Sequence, residues 1–187
     1  DDDGSPRTRF NTIDFVTIAS TGNGIDFGDR DVTASKPAGG SSPTRGIMSG
    51  SHTSPFLQID FITIATTGNS QDFGESARTS TRTSGACSAT RMVYGGSTDP
   101  LGTIDYLTIA TTGNSVAFGD MTVNRASFAA MSDCVRAVFA GGDGSPAQFS
   151  EIDYVNIATE GNAVDFGDLP YDNQQCTGCS NGHGGLG

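Results

Sequence analysis

One phrase occurs four times in this chain. It reads IDFVTIASTGNGIDFGD from Ile13, IDFITIATTGNSQDFGE from Ile59, IDYLTIATTGNSVAFGD from Ile104 and IDYVNIATEGNAVDFGD from Ile152. The starting isoleucines are 46, 45 and 48 residues apart. A second anchor follows each: Arg45, Arg91 and Arg136 stand 32 residues after their isoleucines, and His183 stands 31 after the last. Each anchor leads into an apolar run that ends on glycine, as in RMVYGG. Length variation therefore sits almost wholly in the stretch between the glycines and the next isoleucine, a variable loop on a constant frame. The repeat cores are 13–50, 59–96, 104–142 and 152–187, with residues 1–12 completing the frame of a single repeat domain.

The units read as strands. Gly is abundant at 26 residues, and short apolar runs are bounded by Gly, Asn, Asp, Ser and Pro, which makes the class all-β. In the third unit the strands expected are Arg91 to Tyr94, Thr103 to Thr111, Ser115 to Phe118 and roughly Met121 to Ala130. A tight turn through Gly113 and Asn114 would join the second to the third, with Gly22, Gly68 and Gly161 in the same role elsewhere. In the second strand Ile104 and Tyr106 point one way and Leu107 and Ile109 the other. A strand apolar on both sides must be covered on both sides.

Four-stranded units of about this length, packed face to face, are what a propeller blade looks like in sequence. The glycine pair after a short apolar strand, followed by a loop and an aromatic-bearing strand, resembles the Kelch repeat. The IDYxTIATTGNxxDFGD wording is most similar to Kelch-like arrays in phage structural and environmental proteins. The resemblance covers essentially the whole chain, although Trp is absent and the spacing is tighter. It implies a four-repeat β-propeller of about 45–48 residues and four strands per blade. The segment from Asp1 aligns with the one from Gly141, and HGGLG at the C-terminus aligns with the strand that should precede it. The first blade is then split between the two termini. The last strand could complete it within one chain, closing a ring, or in the next subunit, building a polymer.

The repeated polar residues admit two readings. Asp14, Asp60, Asp105 and Asp153 could form a carboxylate ring that binds a cation. Alternatively each accepts hydrogen bonds within its blade, with the recurring Arg45, Arg91 and Arg136 as partners, and the fixed offset favours this. In the DFGD corners the first acid is replaced by Ala117 in the third unit, which argues against an obligatory metal ligand. The adjacent glycine fits a bend or bulge. Asp1-Asp2-Asp3-Gly4 opens like a calcium loop but lacks the later ligand positions, so no cofactor is expected, with Ca2+ the one alternative. Cys176 and Cys179 could form a disulfide in an oxidising setting. A zinc site would need His183 and His52 as well. Aligned on His183, Cys179 takes the place of Cys87 and Ser41, a position for a small buried residue. No nucleophile, base and acid come together in any pattern used for catalysis, so an enzyme is not expected.

A net charge of −11 disfavours nucleic acid and anionic lipid surfaces as partners. No stretch is apolar enough for a membrane span. No Asn-X-Ser/Thr occurs, which leaves O-linked sugar on Ser and Thr as the glycan modification open to the chain. The start at Asp1 reads as processed or as a piece of a longer precursor. Function is expected where the repeat is interrupted. The first expectation is a structural, self-assembling protein, extracellular or on a virion or cell surface. It would be a filament, appendage or fibre subunit joined to copies of itself through Asp1, Asp2, Asp3, Gly4, His183, Gly184, Gly185, Leu186 and Gly187. The alternative is a module binding a glycan or surface ligand on the loops Lys36 to Thr44, Ser51 to Leu57, Asp99 to Gly102 and Asp143 to Ser150.

Overall fold

The computed structural model describes residues 10–34, 36–50, 54, 56–79, 81–96, 102–144 and 147–180. These form fourteen strands in four antiparallel sheets, with no helix among the described residues. The first sheet is a hairpin of β1 (Thr12–Phe15) and β2 (Ile25–Asp29). The second is a meander of β3 (Ala38–Ser41), β4 (Arg45–Ser49), β5 (Gln58–Thr63) and β6 (Gln71–Glu75). The third repeats it with β7 (Ser84–Cys87), β8 (Arg91–Gly95), β9 (Thr103–Thr108) and β10 (Val116–Asp120). The fourth does so with β11 (Ala129–Ser132), β12 (Arg136–Ala140), β13 (Phe149–Asn156) and β14 (Val164–Asn173). The short first strands lie side by side, β3 against β7 and β7 against β11.

The sheets cut across the repeat cores read from sequence. The fourth strand expected over Met121 to Ala130 does not form. That stretch is an irregular crossing containing the fully buried Arg125, and it turns at Ser127, whose φ is +56°. Extended structure resumes at Ala129 as the first strand of the next sheet. The constant 32-residue offset thus spans a crossing from one sheet to the next, where packing on both sides leaves no room for insertion. The variable loops each join the second and third strands of one sheet.

Both faces of the third sheet are covered, as the two-sided pattern required. Met92, Tyr94, Leu107 and Ile109 pack toward the second sheet with Ile47, Ile59, Phe61 and Phe73. Val93, Ile104 and Phe118 pack toward the fourth with Phe128, Phe139, Val155 and Ile157. The alternation of Met92, Val93 and Tyr94 between two cores is the period-two pleat of a strand with neighbours on both sides. Each such residue contributes about 1.5–3 kcal/mol by leaving water.

Candidate functional site

The repeated phrase is a joint between repeats. The hairpin linking the third strand to the fourth is long rather than tight, and its tip docks on the sheet before it. The Gly68 N–H donates to the Phe27 carbonyl (2.7 Å) and the Ser70 N–H to the Asp29 carbonyl (2.8 Å), while Asn69 Oδ1 accepts from the Asp29 N–H (3.1 Å). The next joint repeats this, with Gly113 on Phe73 (2.7 Å), Ser115 on Glu75 (2.9 Å) and Asn114 Oδ1 accepting from Glu75 (3.0 Å). So does the third, with Gly161 on Phe118 (3.0 Å), Ala163 on Asp120 (2.8 Å) and Asn162 Oδ1 accepting from Asp120 (3.1 Å).

The acceptor half depends on a bulge. Ile59 pairs with Gly74 and Asp60 with Asp72, so Phe73 has no partner in the register, and the same slip occurs at Ala117/Gly119, Ile13/Asp14 and Ile152/Asp153. The unpaired phenylalanine is left with a carbonyl free to receive the next repeat. The glycine that follows is there for closeness as much as for bending. A Cβ on Gly74 would sit 2.6 Å from the Gly113 carbonyl, and those on Gly28 and Gly119 would overlap Gly68 and Gly161 in the same way.

An arginine–aspartate ion pair reinforces each of the three joints. Arg30 of the first repeat pairs with Asp60 (2.7 Å), Arg78 with Asp105 (3.1 Å) and Arg125 with Asp153 (3.0 Å). Burial pushes the Arg125 guanidinium below its ordinary value, against the opposing pull of Asp153 and Glu151. Burial likewise raises the Asp105 carboxyl, which Arg78 partly pulls back down.

The partnership expected from the 32-residue offset is therefore corrected. Arg45, Arg91 and Arg136 lie over the aromatic ring beside each Asp, 4.6 Å from the centroid of Phe61, 4.5 Å from Tyr106 and 4.8 Å from Tyr154. Each ring meets the next phenylalanine edge-on, as in Tyr106 on Phe118 at 5.8 Å. Two of these arginines also reach the following sheet. Arg45 donates to the Ile109 carbonyl (2.9 Å) and Arg91 to the Ala158 carbonyl (3.1 Å). The Tyr106 hydroxyl donates to Glu160 of the next repeat (2.7 Å), which raises its pKa.

The two ends of the row differ. Asp14 is exposed, whereas Asp60, Asp105 and Asp153 are buried. A methyl on Gly167 would meet nothing within 4 Å, whereas one on Gly28, Gly74 or Gly119 would strike the tip docked there. Among the described residues the tip Gly22-Asn23-Gly24 makes no backbone hydrogen bond to another sheet. The terminal residues Asp1 to Gly4 and His183 to Gly187 lie outside the described residues, as does His52. So do parts of the loops Ser51 to Leu57, Asp99 to Gly102 and Asp143 to Ser150. All four cysteines are free thiols. Ser180, not Cys179, takes the place of Cys87: the Ser132 N–H meets Ser180 Oγ at 2.9 Å as the Ser41 N–H meets Cys87 Sγ at 3.4 Å. Cys179 is exposed. Among the described residues no cluster of His, Cys, Asp and Glu could hold a metal ion.

A cavity of about 400 Å3 opens where four equivalent corners converge, at Lys36, Arg82, Ser127 and Gln175. Each has φ near +57° just before a first strand or its C-terminal counterpart. The Ser127 N–H donates to the Arg82 carbonyl and the Gln175 N–H to the Ser127 carbonyl, so the corners are chained to one another. No protein-family model and no curated protein matches this chain.

Proposed function

We propose that this is a structural, self-associating protein, a Kelch-like β-propeller array that serves as a subunit of an extracellular or virion-surface filament, appendage or fibre. The observation that carries the reading is where the repeated polar chemistry is spent. The Gly-Asn tip, the bulged Phe-Gly-Asp strand, the arginine–aspartate pair and the arginine–aromatic stack all tie one repeat to the next. A row held together in this way extends by adding units, and its ends keep unused halves of the same joint. The role is mechanical and non-enzymatic. Sedimentation and electron microscopy of the purified chain test it. Concentration-dependent assemblies or fibres support the reading, and a monodisperse monomer at all concentrations overturns it. Removing Cys179 to Gly187 tests whether the C-terminal segment takes part.

The cavity at the four corners favours a second reading, a module that binds a glycan or other surface ligand. Lys36, at the start of one of the candidate loops, lines it beside Arg82 and Thr83. Glycan-array binding that Lys36→Glu abolishes would promote this reading over the first.

A further inference from the structure

We propose that the tip Thr21-Gly22-Asn23-Gly24 of one copy docks on the bulged edge strand β14 of a second copy, reproducing between chains the joint that links repeats within a chain. This rests on the self-association proposed above and names its contact surface.

Both halves of the joint are present, and among the described residues nothing occupies either. Three tips of the form Gly-Asn-X are seated on Phe-Gly-Asp/Glu edges, and each buries its bulged phenylalanine: Phe27, Phe73 and Phe118 are 8%, 3% and 4% exposed. The fourth edge, Phe166-Gly167-Asp168, has the same residues, the same register slip and the same glycine conformation, with φ +139° against +146° at Gly74. Yet Phe166 is 57% exposed, and a Cβ placed on Gly167 would meet nothing within 4 Å. The fourth tip, Gly22-Asn23-Gly24, is exposed and, among the described residues, makes no backbone hydrogen bond to an edge strand of another sheet. In its repeat Ile18 is 99% exposed, whereas the equivalent Ile64, docked on the two-stranded first sheet, is 45% exposed, and Ile109 and Ile157, docked on four-stranded sheets, are 1% exposed.

The three seated joints give the pattern of bonds expected between the two halves. The Gly22 N–H donates to the Phe166 carbonyl, the Gly24 N–H to the Asp168 carbonyl, and Asn23 Oδ1 accepts from the Asp168 N–H. Arg136, stacked on Tyr154, is placed to reach the carbonyls around Ile18 as Arg45 reaches Ile109. Exposed apolar surface at Ile18 and Phe166 is covered in the same step. The donor face and the acceptor face lie at opposite ends of the row, so the contact is heterologous. Such contacts propagate into filaments unless their rotation closes a ring.

The test separates this joint from self-association in general. Gly24→Pro removes a donor from the tip, and Gly167→Ala places a methyl where the incoming Gly22 carbonyl must sit. Among the described residues neither position contacts another sheet. Gly167 pairs with Ile152 within its own sheet and its N–H donates to Asp165, contacts that alanine keeps, and circular dichroism checks that each variant folds. Sedimentation velocity should show wild-type association weakened about tenfold or more in each single variant. An equimolar mixture of the two variants should give a dimer that grows no further, because one intact tip and one intact edge remain. Association unchanged in both variants overturns this joint while leaving self-assembly standing. A wild-type chain that is monomeric at every concentration overturns both, and closure of tip on edge within one chain, seen as a compact monomer whose Gly22 amide is protected from exchange, overturns the intermolecular assignment.

Discussion

Arg30, in the crossing that follows the first sheet, places its Nη2 2.7 Å from Oδ2 of Asp60 in the next, with both side chains out of water. Nε donates to the same oxygen at 2.8 Å, and Gln58 donates to Oδ1 at 2.8 Å, while Nη1 is buried without a hydrogen-bond partner. A buried pair of this kind is costly to break because one charge is left behind, yet replacing both members can be neutral. Asp60→Asn should therefore destabilise the fold by about 3–5 kcal/mol in urea unfolding. The pair replacement Arg30→Met with Asp60→Leu should recover most of that loss. A double variant no more stable than the single would show that the charge pair itself, rather than its burial, holds the first sheet on.

The glycine of the bulge separates two effects that usually travel together. Gly74 and Gly167 have similar φ, +146° and +139°, so alanine meets similar backbone strain at both. Only at Gly74 does the methyl also strike a neighbouring backbone, 2.6 Å from Gly113. In dilute monomer Gly74→Ala should cost at least about 1–3 kcal/mol more than Gly167→Ala, the range for overpacking against atoms that cannot yield. Equal losses at the two sites would mean that strain alone explains the residue.

Much of this architecture was legible in the sequence, and the part that was not has a physical cause. The all-β class, the two-sided cover of strands such as β9 and the bulge beside each phenylalanine follow from pleat periodicity and glycine placement, which are local. Partner choice is not local. Arg45, Arg91 and Arg136 stand out because their offset from the isoleucines is fixed, but an offset gives a position and not which of two adjacent groups, aspartate or aromatic, the guanidinium meets. The true aspartate partners, Arg30, Arg78 and Arg125, follow their isoleucines by 17, 19 and 21 residues and so escape any alignment by period. The crossings differ in path and still deliver a guanidinium to the same carboxylate. The Gly-Asn pair signals a turn by its tolerance of unusual φ, and that signal hides its second role as a backbone donor to the preceding sheet.

Arg91 joins three elements with one planar group. It stacks 4.5 Å above Tyr106 and donates to the Ala158 carbonyl at 3.1 Å, across the joint between the third and fourth sheets. Lysine keeps the charge but loses the flat face and the fork that serve both contacts at once. Arg91→Lys should lower stability by about 0.5–2 kcal/mol, the span of a cation–π contact between exposed and desolvated settings. Thermal unfolding monitored by Tyr fluorescence reads it, and an unchanged midpoint would assign Arg91 to solubility rather than to the joint.

Asp105 gives the array a pH response of defined sign. Burial raises its carboxyl above 3.8 in the folded chain, with Arg78 opposing, so the folded state keeps this proton to higher pH than the unfolded state does. Between the two values folding takes up a proton, and the contribution of this group to stability is greatest below 3.8 and falls as pH rises through the folded value. Asp105→Asn cannot ionise and removes that slope. Urea unfolding of both proteins across the acid range should therefore show the stability of the Asn variant relative to wild type increasing with pH, then levelling once the wild-type carboxyl is fully ionised. The opposite trend would mean that Arg78 wins over burial and holds Asp105 charged, as an exposed pair would, and the joint between the second and third sheets would then be wetter than its geometry implies.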